Sequence, residues 1–143
     1  YVAFMDSLKL WLPHLEFSSI VLGTGGSSKA IKYALKELNI PSLFVSRKPT
    51  SSEISYDELL KGDFIKNNKL IINTTPLGMF PNINIHPSFN FKLLSKNHYV
   101  YDLIYNPEIT LFLKLSMDNG SKIKNGYEML VKQAELSWEI WNK

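Results

Sequence analysis

At 143 residues with 45% hydrophobic content, the chain has the length and composition of one folded domain, which excludes a disordered or low-complexity polymer. Sixteen basic against thirteen acidic residues leave a formal charge of +3, spread along the chain without basic runs, so nothing in it calls for nucleic acid. The absence of cysteine rules out disulfides and thiolate metal sites and fits a reducing, cytoplasmic setting.

No apolar run approaches the roughly 20 residues of a membrane-spanning helix, so no membrane partner is expected. The start, Tyr1-Val2-Ala3-Phe4-Met5, has neither a basic leader region nor an initiator Met, and the reading is of a fragment. Val2, Met5, Leu8 and Trp11 fall at helical spacing in the first segment. Ser19-Ile20-Val21-Leu22 then reads as a buried strand running into Gly23-Thr24-Gly25-Gly26-Ser27-Ser28-Lys29-Ala30. A helix follows, with Ala30, Ile31, Ala34, Leu35 and Leu38 on one face and a stop at Leu38-Asn39-Ile40-Pro41. Ser42-Leu43-Phe44-Val45 completes a strand-helix-strand unit.

Strands are predicted at Lys69-Leu70-Ile71-Ile72 and Tyr99-Val100-Tyr101, with helical segments near Tyr56 to Leu60, Phe89 to Leu94 and Thr110 to Met117. Lys122-Ile123-Lys124 has the alternating charge of an exposed edge strand. Tyr127, Leu130, Val131, Ala134, Trp138 and Trp141 form the apolar stripe of a last helix. This alternation predicts a Rossmann-type three-layer αβα domain, its mostly parallel sheet having about five or six strands. The terminal helices, within 1–16 and 126–143, read as packing helices of the domain or as hinge helices leading to another one. The Trp11, Trp138 and Trp141 set reads as core or interdomain packing, because nothing basic interleaves with it.

A glycine loop between a strand and a helix permits a tight turn and close main-chain approach, which is what a pyrophosphate at a helix N-terminus requires. In such a fold the end of the second strand meets the adenosine ribose, on the order of 20 positions after the glycines. Ser46-Arg47-Lys48 stands there, and the nearest acid is Glu53. Arg47 suits a 2′-phosphate better than a 2′-hydroxyl, so NADP is favoured over NAD. Asn73-Thr74-Thr75-Pro76-Leu77-Gly78-Met79 and Asp102-Leu103-Ile104-Tyr105-Asn106-Pro107 follow later strands at their ligand-binding edge, although each is also rich in turn residues. Asp102 reads as a turn anchor and Asp6 as a polar-face residue. Ser27 and Ser28 read as phosphate-facing. His14, His86 and His98 are scattered and form no metal site.

Together with Val45-Ser46-Arg47 and Asn125-Gly126-Tyr127-Glu128-Met129-Leu130-Val131-Lys132-Gln133-Ala134, these motifs resemble the shikimate dehydrogenase family in identity and order. The resemblance runs over essentially the whole chain and covers only the C-terminal, NADP-binding half of that enzyme. It implies that Gly23, Thr24, Gly25, Gly26 and Ser27 bind the pyrophosphate region, that Ser46, Arg47 and Lys48 face the 2′-phosphate, and that Thr74 belongs to the same cofactor site. It places the main chain of Leu103 and Gly126 at the nicotinamide end, Met129 beside it, and Tyr105 and Gln133 against shikimate from the cofactor side. Many members carry a further basic residue where this chain has Ser51, a departure for which Lys48 is the nearest compensation.

The resemblance further implies that the family's catalytic Lys and Asp precede this segment, the Asp in an Asn-Thr-Asp motif ending just before Tyr1. Ketone reduction needs a hydride donor and a positioned acid, and this chain holds no convincing acid. The intact parent is then expected to interconvert 3-dehydroshikimate and shikimate with NADP(H), in aromatic amino-acid and chorismate biosynthesis, and the isolated chain to be inactive without the missing N-terminal domain. The competing readings are a non-catalytic NADP(H)-binding sensor or regulatory module and a quinate-using relative. Oligomeric state is not legible.

Overall fold

Ser19, Ile20, Val21 and Leu22 are all buried and form β1 (Ser19–Leu22), the centre of a sheet covered on both faces. The computed structural model describes residues 1–142. After α1 (Val2–Trp11) and β1, the chain runs through α2 (Gly26–Glu37), β2 (Ser42–Ser46), β3 (Glu53–Ser55), α3 (Tyr56–Lys61), α4 (Phe64–Asn67), β4 (Leu70–Asn73), a 3₁₀ turn at Phe91–Leu93, β5 (Tyr99–Asp102), α5 (Leu111–Asp118), β6 (Lys122–Lys124) and α6 (Tyr127–Trp141). The six strands lie in the order β3-β2-β1-β4-β5-β6, every pair parallel. This is the doubly wound Rossmann order, in which the winding reverses between β1 and β4.

Alternate residues of the strands build two cores. Val21, Phe44, Leu70, Ile72 and Tyr101 face α1 and α2, meeting Phe4, Leu8, Ile31 and Leu35. Ile20, Leu22, Val45, Ile71 and Val100 face the other side, against Leu59, Ile65, Phe112 and Leu113 from α3, α4 and α5. Burial on both faces is why β1 and β4 read as unbroken apolar runs. α1 is also tied to the sheet by a polar contact, the Ser7 hydroxyl lying 2.8 Å from the Tyr101 hydroxyl, both buried. Burial pushes the Tyr101 phenol up to about 12.

The helix ends follow their local chemistry. α2 stops because Asn39 adopts a left-handed conformation, φ 56°, with Ile40 and Asn39 N–H donating to the carbonyls of Leu35 (2.9 Å) and Lys36 (3.0 Å), a Schellman closure. α3 opens on a reciprocal capping box between Ser55 and Glu58.

Several elements differ from the sequence expectation. β3 is an added strand, half-buried and only three residues long, too short to show a period. The helix expected over Phe89 to Leu94 is reduced to the 3₁₀ turn, where the Asn90 side chain accepts from the Lys92 N–H. The tryptophans part company. Trp11 packs edge-on against Tyr99 and Tyr101, but Trp138 is 68% and Trp141 86% exposed, which corrects the core alternative for those two. α6 has no fully buried residue and rests chiefly on α1.

Candidate functional site

Gly23 ends β1 with φ +101°, and a Cβ there would lie 2.7 Å from Thr74 Oγ1. Both the left-handed backbone and the close approach require glycine. The Gly23 N–H donates to the Val45 carbonyl (2.9 Å), while the Thr74 N–H and hydroxyl both donate to the Leu22 carbonyl (2.9 and 2.7 Å). The carboxyl ends of β1, β2 and β4 are thereby fixed to one another. Thr74 spends its hydroxyl on this joint and offers the crevice its surface.

Gly25 caps α2 without a side-chain hydrogen bond, and the first turn carries no acid. A Cβ built on Gly25 or Gly26 would meet no heavy atom within 4 Å. Packing within the domain therefore does not demand glycine at either position. The residues frame a space into which the amide groups and positive end of a helix project, a setting for an anion. Ser27 lines this space. Ser28 corrects the expectation of a phosphate-facing hydroxyl: it is buried and donates to the Gly25 carbonyl at 2.6 Å.

The space continues as a crevice of about 560 Å³ between the loops after β4 and β5, lined by Thr74, Thr75 and Pro76 on one side and Leu103 to Asn106 on the other. It lies at the β1/β4 reversal, where open sheets of this type bind ligands. Met79 and Phe80 also line it, and the Phe80 N–H donates to the Asn106 carbonyl (3.0 Å), joining the two loops. Tyr105, half-exposed, lines it too. Ile104 and Asn106 were given no role of their own from sequence beyond membership of the Asp102–Pro107 motif, and Phe80 had only its adjacency to Met79 as a signal.

At the end of β2, Ser46 is buried and its Oγ accepts from the Lys48 N–H (3.2 Å) and lies 3.1 Å from Thr24 Oγ1. Ser46 thus joins the glycine loop to the β2 turn, leaving Arg47 and Lys48 exposed beyond it. Arg47 acts electrostatically on Tyr56 at the start of α3, whose phenol is raised by burial and lowered by that guanidinium. Sequence reasoning missed Tyr56, which has no spacing relation to the glycines. Glu53 is occupied locally, its Oε1 accepting from the Thr50 N–H at 3.0 Å.

Gly126 N–H donates to the Ile104 carbonyl (3.1 Å), and its Cα face is pressed against Leu103. Met129 and Leu103 are both half-buried and pack on the same core. Gly126 thus backs the crevice wall formed by Leu103 and Ile104. Gln133 does not join them: it lines a separate shallow cleft with Tyr1, Val2, Ala3, Leu136 and Ser137. Among the described residues no group of three His, Asp or Glu side chains could hold a metal. No described helix is long and apolar enough to cross a membrane. His98 is buried and satisfied, its Nε2 lying 2.6 Å from the Ile65 carbonyl.

Strand order, glycine turn and crevice together define a Rossmann-type α/β domain with its ligand edge open. Comparison with known proteins adds a family. The chain is 38% identical over 149 aligned positions to a shikimate dehydrogenase (NADP(+)) of Clostridium botulinum, covering 99% of this chain and 57% of that protein. Among solved structures, a chorismate mutase/shikimate 5-dehydrogenase fusion protein from Clostridium acetobutylicum is 37% identical with a TM-score of 0.84, covering 99% of this chain and 53% of the other. A shikimate dehydrogenase in complex with NADP+ is 25% identical with the same TM-score of 0.84, over 98% of this chain and 54% of its own. No family model matches the sequence. Curated relatives of this chain are thus named shikimate dehydrogenases, and the chain spans about half the length of those it matches.

Proposed function

We propose that this chain is the NADP(H)-binding half of a shikimate dehydrogenase, whose whole protein reversibly reduces 3-dehydroshikimate to shikimate. The observation that carries the reading is the open space at Gly25 and Gly26, at the start of a helix and at the reversal point of the sheet, where a pyrophosphate fits and a side chain would intrude. Bound there, NADPH supplies the hydride. Gly25, Gly26 and Ser27 would hold the pyrophosphate, Arg47 and Lys48 the 2′-phosphate, and Leu103, Gly126 and Met129 the nicotinamide end. Tyr105 would meet the substrate from the crevice, and Gln133 would reach it only from its own cleft beside α1. The acid that completes the reduction is assigned to the other half.

The test is reconstitution. The chain joined to a shikimate dehydrogenase N-terminal half should reduce NADP+ in a shikimate-dependent assay, and the purified 143 residues should not. Shikimate oxidation by the chain alone would overturn the division of labour, and a joined protein that binds NADPH without oxidising shikimate would favour a non-catalytic module. Quinate as the preferred substrate of the joined protein would move the assignment to a quinate-using relative.

A further inference from the structure

Asp102 closes β5 directly opposite Asn73, which closes β4 in the parallel register. Both side chains are completely buried. Asn73 Nδ2 donates to Asp102 Oδ1 (3.2 Å), the Ile104 N–H donates to the same oxygen (3.1 Å), and the Thr110 hydroxyl donates to Oδ2 (2.7 Å). Thr110 in turn caps α5 by accepting from the Leu113 N–H (3.2 Å). On the far side of Asn73, its Oδ1 accepts from the Thr75 N–H (3.0 Å) and hydroxyl (2.8 Å). One buried pair therefore holds Thr75 on one wall of the crevice and Ile104 on the other.

The chemistry of the pair gives it a direction. An ionised carboxylate only accepts hydrogen bonds, so it obliges Asn73 to present its NH₂ inward and its carbonyl to Thr75. A neutral acid at 102 loses the charge that strengthens the contact to the Asn73 NH₂, and any turn of the amide toward it would set that NH₂ against the Thr75 N–H, so neutralisation loosens the hold on Thr75. An amide of the same shape can still accept from Asn73 and Ile104, but without the charge that makes those two hydrogen bonds strong. The groups facing Asp102 from β4, from the loop after β5 and from the α5 cap are an amide, a main-chain N–H and a hydroxyl, and none of them titrates. Burial accordingly pushes the carboxyl up to about 6.

Resting on the cofactor reading above, we propose that Asp102 is a positioning residue which, through Asn73, fixes the orientation of Thr75 and the spacing of the two crevice walls for the nicotinamide half of NADP(H). It touches no ligand. Its charge state reaches the crevice through the Asn73 amide.

The experiment uses the 143-residue chain, its Asp102→Asn variant and NADPH as probe, with two readouts. In the first, NADPH affinity is measured at about pH 7.5 and about pH 5.5; the variant should bind about fivefold more weakly than the parent at the higher pH and converge with it at the lower. The 2′-phosphate also titrates near pH 6, but equally in both proteins, so their ratio isolates Asp102. In the second, needing no ligand, the Thr75 amide is followed by NMR. Its chemical shift should titrate near pH 6 in the parent and stay flat in the variant. A ratio independent of pH, or a Thr75 amide that ignores Asp102, overturns the proposal. If the parent binds no NADPH, the cofactor reading fails on the first readout while the second still decides the coupling.

Discussion

Gly126 lies so close to the Leu103 carbonyl that a Cβ on it would overlap that oxygen, well inside van der Waals contact. The backbone of Gly126 is ordinary, φ −83°, so space alone imposes the glycine. The same residue donates to Ile104 and begins α6, which makes it the point where the last helix is set against the crevice wall. Gly126→Ala should push α6 and the Leu103–Ile104 segment apart, destabilising the chain by about 1–3 kcal/mol. NADPH binding should weaken as well. Thermal unfolding with and without NADPH checks both, and an alanine variant of unchanged Tm would contradict the contact.

Gly26 has the opposite character. Since a Cβ there meets nothing in the protein, Gly26→Ala should leave thermal stability unchanged or slightly raised, because alanine is the better helix former. NADPH affinity should nonetheless fall about tenfold or more as the methyl enters the phosphate space. Losing stability and binding together would mean that the glycine serves the fold and not a ligand.

The buried carboxyl of Asp102 makes an unusual contribution to the pH dependence of stability. Its native pKa of about 6 lies above the ordinary 3.8, so between those values the native state holds more proton than the unfolded chain. Stability from this group therefore falls as pH rises from about 4 to about 6, by up to roughly 3 kcal/mol. Urea unfolding of the parent and of Asp102→Asn across that range checks it. The variant should gain on the parent as pH rises, and a constant difference between the two would refute the assignment.

Much of this architecture was legible in the sequence because its strands are buried on both faces. β1, β2, β4 and β5 announce themselves as apolar runs, and β6 by Lys122 and Lys124 flanking Ile123. β3 was not, since Glu53 and Ser55 flank a single apolar residue. The glycine loop and the Arg47 position were readable from spacing. Tyr56 was not, because it is the pairing of β3 with β2, Ser46 opposite Ser55, that brings the start of α3 beside Arg47. Ser28 misled for a local reason: its hydroxyl reaches the Gly25 carbonyl within its own turn. The exposed Trp138 and Trp141 share a helical stripe with Leu130, and periodicity reports that a face is apolar without reporting what covers it.

The most direct test of the account is a paired titration of the purified chain with NADPH and NADH, followed by nucleotide fluorescence, on the parent and on Arg47→Ala. Binding of NADPH should be saturable and at least about tenfold tighter than that of NADH, with the alanine variant losing that difference by weakening NADPH alone. Equal affinity for the two nucleotides, or no binding of either by a folded chain, would contradict it.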